Sequence, residues 1–171
     1  MPKAKGYSLW VMPTGKVYDR LNDLILQLSR KYDTPYFEPH VTLIGEILGS
    51  KSGVISKTAK LASAVPPYRI ELGDATYLDK YFQCLLIRAK ETAEVMKANS
   101  KAREIFSRIN DPKYTPHLSL MYGKFPPEKK EKIIAEIGNK FRLSFDSDRI
   151  HLFYTEGKPK DWCRIREFSL K

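Results

Sequence analysis

Cysteine is nearly absent from this chain. Cys84 and Cys163 are the only two, too few for a disulfide framework and without the paired spacing of a zinc ribbon. Cys84 falls in the apolar run Phe82-Gln83-Cys84-Leu85-Leu86-Ile87 and reads as a core residue. A long-range bridge to Cys163 would be an exception in a reducing compartment. Histidine is scarce too, with His40, His117 and His151 the whole complement. Zinc sites need three or four protein ligands, and no His-Glu-x-x-His spacing is present, so neither a metal nor any other cofactor is expected. Long apolar runs are missing as well, and nothing approaches the roughly 20 residues that span a bilayer. Residues Met1 to Gly6 lead straight into a strand-like stretch with no apolar leader, so the expectation is a cytoplasmic protein without a membrane partner. Acidic residues are the minority: 20 Asp and Glu face 30 Lys and Arg, a formal charge of +10. That excess favours phosphorylated or nucleic-acid partners. Much of it sits at helical spacing, as in Lys97, Lys101 and Arg108 or Lys129, Lys130 and Lys132, which read as solvated outer faces. No arginine-rich arm or known nucleic-acid module stands out. With 42% hydrophobic and 29% charged residues, the 171-residue chain suits one soluble monomeric domain with a sizeable core.

What is present is one five-residue phrase, twice. Pro39-His40-Val41-Thr42-Leu43 and Pro116-His117-Leu118-Ser119-Leu120 share the order proline, histidine, aliphatic, hydroxyl, leucine. Side chains alternate faces along a strand, so His40 and Thr42 share one face while Val41 and Leu43 take the other. His117 and Ser119 stand in the same relation to Leu118 and Leu120. Each phrase buries two aliphatics and presents an imidazole beside a hydroxyl. Two such faces brought together would converge on one small anion.

The surrounding pattern repeats as well. Gly6 to Met12 reads as a strand with Ser8, Trp10 and Met12 on one face, ended by Pro13, and Thr14 can cap the next element. Val17, Leu21, Leu24, Ile25 and Leu28 keep helical spacing over Lys16 to Lys31, and the Asp33-Thr34-Pro35 loop delivers the first histidine strand, Pro39 to Glu46. A shorter helix over Ser52 to Ser63 ends before Val65-Pro66-Pro67. Tyr68 to Leu72 alternates as a strand, Gly73-Asp74 breaks it, and Ala75 to Leu78 forms a short strand of its own. Tyr81 to Ala89 then reads as a strand and Glu91 to Asn110 as a helix with Val95, Ala98, Ala102, Ile105, Phe106 and Ile109 inward. Asp111-Pro112 turns into the second histidine strand, Pro116 to Tyr122. Strand, helix, histidine strand thus occurs twice, with the histidines 77 positions apart (117 − 40), an internal duplication that sets two lobes face to face. Pro127 opens a last helix with Ile133, Ile134 and Ile137 inward. Strands Phe141 to Phe145, Arg149 to Thr155 and Trp162 to Leu170 finish an α+β domain.

Imidazole titrates near neutral pH, so one histidine can begin as a base while its partner begins as an acid. That pair suits attack of water on a cyclic phosphodiester: the nucleophile must lose a proton and the leaving alkoxide must gain one. Each hydroxyl can donate to a nonbridging phosphate oxygen. His151 lacks a hydroxyl at the same offset and reads as structural or surface.

The duplicated His-x-Thr and His-x-Ser phrases resemble the signature of the two-histidine (2H) phosphoesterase superfamily. The segments Ser8-Leu9-Trp10, Phe37-Glu38-Pro39-His40-Val41-Thr42, Tyr81-Phe82-Gln83-Cys84 with Glu94-Val95-Met96, and Pro116-His117-Leu118-Ser119-Leu120-Met121-Tyr122 bring it closest to the plant and yeast cyclic nucleotide phosphodiesterase branch. The resemblance implies a bilobal fold of two antiparallel sheets flanked by helices, with the four motif residues in a central cleft. It implies metal-independent hydrolysis of nucleoside 2′,3′-cyclic phosphates, usually to the 2′-phosphate, with ADP-ribose 1″,2″-cyclic phosphate a related substrate. By position, His40 would be the general acid, His117 the base, and Thr42 and Ser119 the phosphate ligands. Trp10 corresponds to a cleft aromatic that contacts the nucleotide, and Tyr122 to a tyrosine near the phosphate. Strict alternation puts Tyr122 on the face opposite His117, so a strand end must turn it inward. The near-symmetry of the duplication leaves the acid and base labels open to exchange. For Trp10 the competing reading is core packing between sheet and helix. Tyr36, Phe37, Tyr81, Tyr114 and Tyr154 either line the cleft or simply pack.

Two further readings compete with a small-molecule phosphodiesterase. One is an RNA-end enzyme that opens terminal cyclic phosphates or trims 3′ ends, which the positive charge favours. The other is a nucleotide- or RNA-binding module whose histidines hold phosphate without turnover.

Overall fold

A computed structural model describes residues 2–171 of the chain. The elements in order are β1 (Tyr7–Val11), α1 (Gly15–Tyr32), β2 (Val41–Ile47), α2 (Lys51–Ala64), β3 (Tyr68–Tyr77), β4 (Leu85–Ala89), α3 (Ala93–Ile105), β5 (His117–Met121), α4 (Pro127–Ile137), β6 (Lys140–Ser147), β7 (Arg149–Tyr154) and β8 (Cys163–Ser169). All strand pairs are antiparallel, in the order β6-β3-β4-β5-β2-β1-β7-β8. The α+β class and the repeated strand-helix-histidine strand unit are as expected. The two antiparallel halves, β6-β3-β4-β5 and β2-β1-β7-β8, meet as one continuous curled sheet. They join between β2 and β5 at a single register pair, Val41 with Leu118.

Register explains the division of faces. Val11 pairs with Val41, Val41 with Leu118, and Leu118 with Ile87, so one apolar row crosses β1, β2, β5 and β4. All four are at most 1% exposed, under the helices. The alternate residues form a second row on the opposite face, where Trp10 pairs with both Thr42 and His151, and His117 pairs with Arg88. A one-residue slip would exchange these rows and bury the polar one, so the apolar row holds the register. The helices cross between halves. α1 packs on β5 and β6, whereas α3 packs on β2 and β3, so each histidine strand is backed by the other half's helix.

Several local expectations are corrected. Thr14 occupies the N-cap of α1 without a side-chain capping bond, whereas Ser50 caps α2 by accepting from the Gly53 amide at 3.2 Å. Gly73-Asp74 does not end β3; the register shifts there as a bulge and the strand runs on. Tyr81–Gln83 is a single 3-10 turn rather than the start of β4. α3 stops at Ile105 because Ser107 takes a left-handed backbone (φ 57). That leaves Ile109 outside the helix and 71% exposed. Two residues read as solvated are tied down instead. Lys130 is buried with its ammonium donating to the Leu78 carbonyl at 2.9 Å. Arg108 pairs with Asp111 at 2.7 Å and donates to the carbonyls of Gly45 and Glu46 in β2. Cys84 and Cys163 are free thiols, the first buried and the second exposed. Among the described residues, no helix is long and apolar enough to cross a membrane.

Candidate active site

The joint between the halves is where the duplicated phrases meet. One antiparallel step either side of the Val41–Leu118 pair sets His40 across from Ser119 and Thr42 across from His117. The two histidines are then diagonal neighbours, a relation that in a regular pair places side chains roughly 7–8 Å apart. The four residues therefore lie on the polar face, around an axis through the apolar pair beneath them.

Both imidazoles are held in the same way. Nδ1 of His40 donates to the Glu38 carbonyl at 2.6 Å, and Nδ1 of His117 donates to the Thr115 carbonyl at 2.8 Å. A carbonyl can only accept, so Nδ1 carries the proton in each ring. In the neutral state this leaves each Nε2 with a lone pair. Gln83, brought in by the 3-10 turn, donates its amide to Nε2 of His117 at 3.4 Å.

The surroundings of the two rings differ. His40 is buried at 6% exposure and stacks on Trp10, with centroids 3.6 Å apart and planes within 9°. The far side of Trp10 stacks on Phe153 at 3.8 Å, and its Nε1 donates to Ser8 Oγ at 2.8 Å. Trp10 is therefore a buried ring, and it is buried against the histidine. Both of its faces are covered, so only its edge meets the cleft. Phe37 approaches His40 edge-on at 6.1 Å. Burial is the main force lowering the His40 pKa from its ordinary 6.5 to about 3, and the His117 imidazole adds to it. The position matching Trp10 in the second half is Leu86, which pairs with Ser119 as Trp10 pairs with Thr42. His117 has cations beside it instead. Burial lowers its pKa first, and the Arg88 guanidinium and Lys80 ammonium lower it further.

The hydroxyls also differ. Ser119 is buried and donates to the Phe82 carbonyl at 2.9 Å, so its proton is engaged. Thr42 lines a pocket of about 310 Å³ with His117 and the basic side chains Lys80, Arg88, Arg103, Arg108 and Lys113. Tyr122 follows the end of β5, and its buried ring stacks on Phe37 at 3.7 Å and meets Phe82 edge-on at 5.1 Å. It thus shares its wall with the rings around His40, and burial holds its hydroxyl well above the usual pKa. His151, read as structural or surface, is buried beside Trp10 with Nδ1 3.5 Å from Glu167. Arg164 pairs with Glu167 at 2.7 Å and sits over Phe153, and it approaches Glu38 at 3.7 Å. Tyr36 and Tyr154 are exposed, and Tyr114 donates to the Thr42 carbonyl at 2.8 Å. Sequence reasoning assigned no role to Gln83, Lys80, Arg88 or Trp162, whose approach depends on pairing between distant strands. Among the described residues, no group of three or more His, Cys, Asp or Glu side chains is placed to hold a metal ion.

Comparison with known proteins bears on the family and the fold. A relative described as cyclic phosphodiesterase from Arabidopsis thaliana is 26% identical over 158 residues, covering 90% of this chain and 87% of its own length. The fold resembles TT0787 of Thermus thermophilus, with a TM-score of 0.68 at 19% identity over 96% of this chain and 97% of that one. It also resembles E. coli LigT complexed with 3′-AMP, with a TM-score of 0.61 at 13% identity over 99% of both chains. The family model for cyclic phosphodiesterase-like protein matches residues 5–169. The chain therefore belongs to the cyclic phosphodiesterase-like family.

Proposed function

We propose that this protein is a 2′,3′-cyclic nucleotide phosphodiesterase that opens the ring to a phosphomonoester, the nucleoside 2′-phosphate, through His40 and His117. The observation that carries the reading is the matched pair of imidazoles on either side of the sheet joint, each with Nδ1 tied to the carbonyl two residues upstream. In this reading Nε2 of His117 takes a proton from water as the oxygen forms its bond to phosphorus. Nε2–H of His40 gives its proton to the ribose oxygen as that P–O bond breaks. Thr42 and Ser119 hold the nonbridging oxygens, Ser119 after releasing the Phe82 carbonyl.

The surroundings of the two rings bear on these roles differently. Cations beside His117 favour its neutral form, which a base requires. His40 rests neutral and must be protonated to act as acid. An arriving phosphodiester anion favours its imidazolium, and so does the indole face already stacked on it. Tyr122 stands near the phosphate in this scheme, as a protonated phenol.

The test is a substrate panel in chelator, with products identified by phosphorus NMR. Wild-type protein should convert a 2′,3′-cyclic mononucleotide to the 2′-phosphate, and His40→Ala or His117→Ala should each lower kcat by about 10²-fold or more. Tight nucleotide binding without product at any pH would instead make the chain a binding module. The basic pocket beside His117 favours a second reading, an enzyme of RNA ends. Preference for oligonucleotides ending in a cyclic phosphate, falling steeply with salt, would select it.

A further inference from the structure

A groove of about 810 Å³, sharing no lining residue with the basic pocket, is bounded by residues that touch His40. One wall is the loop that leads into β2, Asp33 to Glu38, and the other is the β7–β8 connection, Lys158 to Trp162. It reaches the site through Trp10, Phe37 and Glu38, the residues that stack on His40, touch its edge and accept from its Nδ1. If His40 protonates the leaving ribose oxygen, the nucleoside must lie on this side of the phosphate.

Five aromatic rings line the groove, and three have partners on their faces. Trp10 is sandwiched between His40 and Phe153, Phe153 lies between Trp10 and Arg164, and Phe37 stacks on Tyr122. Trp162 and Tyr36 remain, one on each wall. Trp162 meets Trp10, Phe82 and Tyr122 only at interplanar angles of 66°, 38° and 61°, and its Nε1 donates to the Gly157 carbonyl at 3.4 Å. Tyr36 is 40% exposed, with its hydroxyl donating to Asn22 at 2.6 Å. Both rings are thus anchored at a polar atom while no ring is stacked on either. Lys158 and Lys160 lie on the Trp162 wall of the same groove.

We propose that this groove is the nucleoside subsite, in which the base stacks on Trp162 opposite Tyr36 and a phosphoryl group on the 5′ carbon meets Lys158 and Lys160. The inference rests on the nucleotide reading above and assigns stacking to Trp162, not to Trp10. It makes the preferred substrate a cyclic nucleotide that carries a second phosphate, whether free or as part of a longer nucleotide.

Calorimetric titration tests it without requiring turnover. Wild-type protein and Trp162→Ala are titrated with adenosine 2′-monophosphate and with inorganic phosphate. Truncating an aromatic side chain on which a base stacks costs roughly 5- to 150-fold in affinity. Trp162→Ala should lose that much for the nucleotide, stay within about twofold for phosphate, and be largely rescued as Trp162→Phe. Equal losses for both ligands, no loss for either, or no nucleotide binding by the wild type would each overturn the subsite. Adenosine 2′,5′-bisphosphate should bind the wild type more tightly than the 2′-monophosphate. The double variant Lys158→Gln, Lys160→Gln should abolish that advantage, and a wild type that binds both equally would overturn the lysine contact. Nucleotide binding with this pattern but no hydrolysis of any cyclic phosphate would leave the subsite standing and remove the phosphodiesterase reading.

Discussion

Replacing Trp10 by leucine should make His40 harder to protonate. The indole lies 3.6 Å from the imidazole, nearly parallel to it and buried, so a proton added to His40 places a cation on an aromatic face screened from water. Such contacts are worth about 2 kcal/mol when desolvated. At about 1.36 kcal/mol per pKa unit, losing the contact should lower the His40 pKa by about 1.5 units. Burial works the other way. A smaller side chain admits water and relieves the desolvation that already holds His40 down to about 3, so packing alone predicts a rise. The sign therefore separates the two roles. NMR titration of the His40 ring in protein saturated with inorganic phosphate, an anion whose charge favours the imidazolium, reads it directly. Trp10→Leu should move the His40 pKa down, Trp10→Phe by less, and His117 little. A rise in Trp10→Leu, or equal shifts in the leucine and phenylalanine variants, would eliminate the cation–π contribution.

Other consequences are simpler. Thr42→Val should lower kcat by about 10²-fold, the usual cost of one oxyanion donor, and Ser119→Ala by less, since Ser119 must first give up Phe82; the two rate constants decide it. Arg88→Gln should raise the His117 pKa at low salt, moving the acidic limb of the pH–rate profile upward, with the shift fading in 1 M salt. Because His40 has a folded pKa below its ordinary 6.5, the unfolded chain binds the extra proton. The stability from keeping this ring neutral is complete above pH 6.5 and is lost as the pH falls toward 3. Denaturant titrations from pH 7 to 4 should fall more steeply for wild type than for His40→Asn, by up to about 1.36 kcal/mol per pH unit. Leu118→Ala, at the joint, should cost about 2–5 kcal/mol, read as a fall in Tm of roughly 2–4 °C per kcal/mol.

The features legible in the chain are those encoded locally. Alternation within each five-residue phrase put the imidazoles and hydroxyls on one face and the aliphatics on the other, helical spacing located α1, and the Pro66-Pro67 pair marked the end of α2. What was not legible depends on pairing. Arg88 stands beside His117 only because β4 pairs with β5, and Trp10 reaches His40 only through the β1–β2 register. The apolar run from Phe82 looks like uninterrupted strand, yet Phe82 and Gln83 form a 3-10 turn that brings Gln83 to His117 and the Phe82 carbonyl to Ser119. Ile109 kept helical spacing with Ile105 but lies past the left-handed Ser107, where Arg108 turns to Asp111 and β2. A hydrophobic period marks which residues could face inward; it does not mark where backbone geometry ends the helix.

In the proposed reaction both duplicated imidazoles address one phosphorus. Crystals of the protein grown with a nucleoside vanadate, whose five-coordinate centre mimics the transition state, show whether they do. A single vanadium centre is expected, with oxygens within hydrogen-bonding distance of Nε2 of both His40 and His117, and of the hydroxyls of Thr42 and Ser119. Vanadate held by only one histidine, or seated among the lysines and arginines beyond Thr42, would rule out the shared centre.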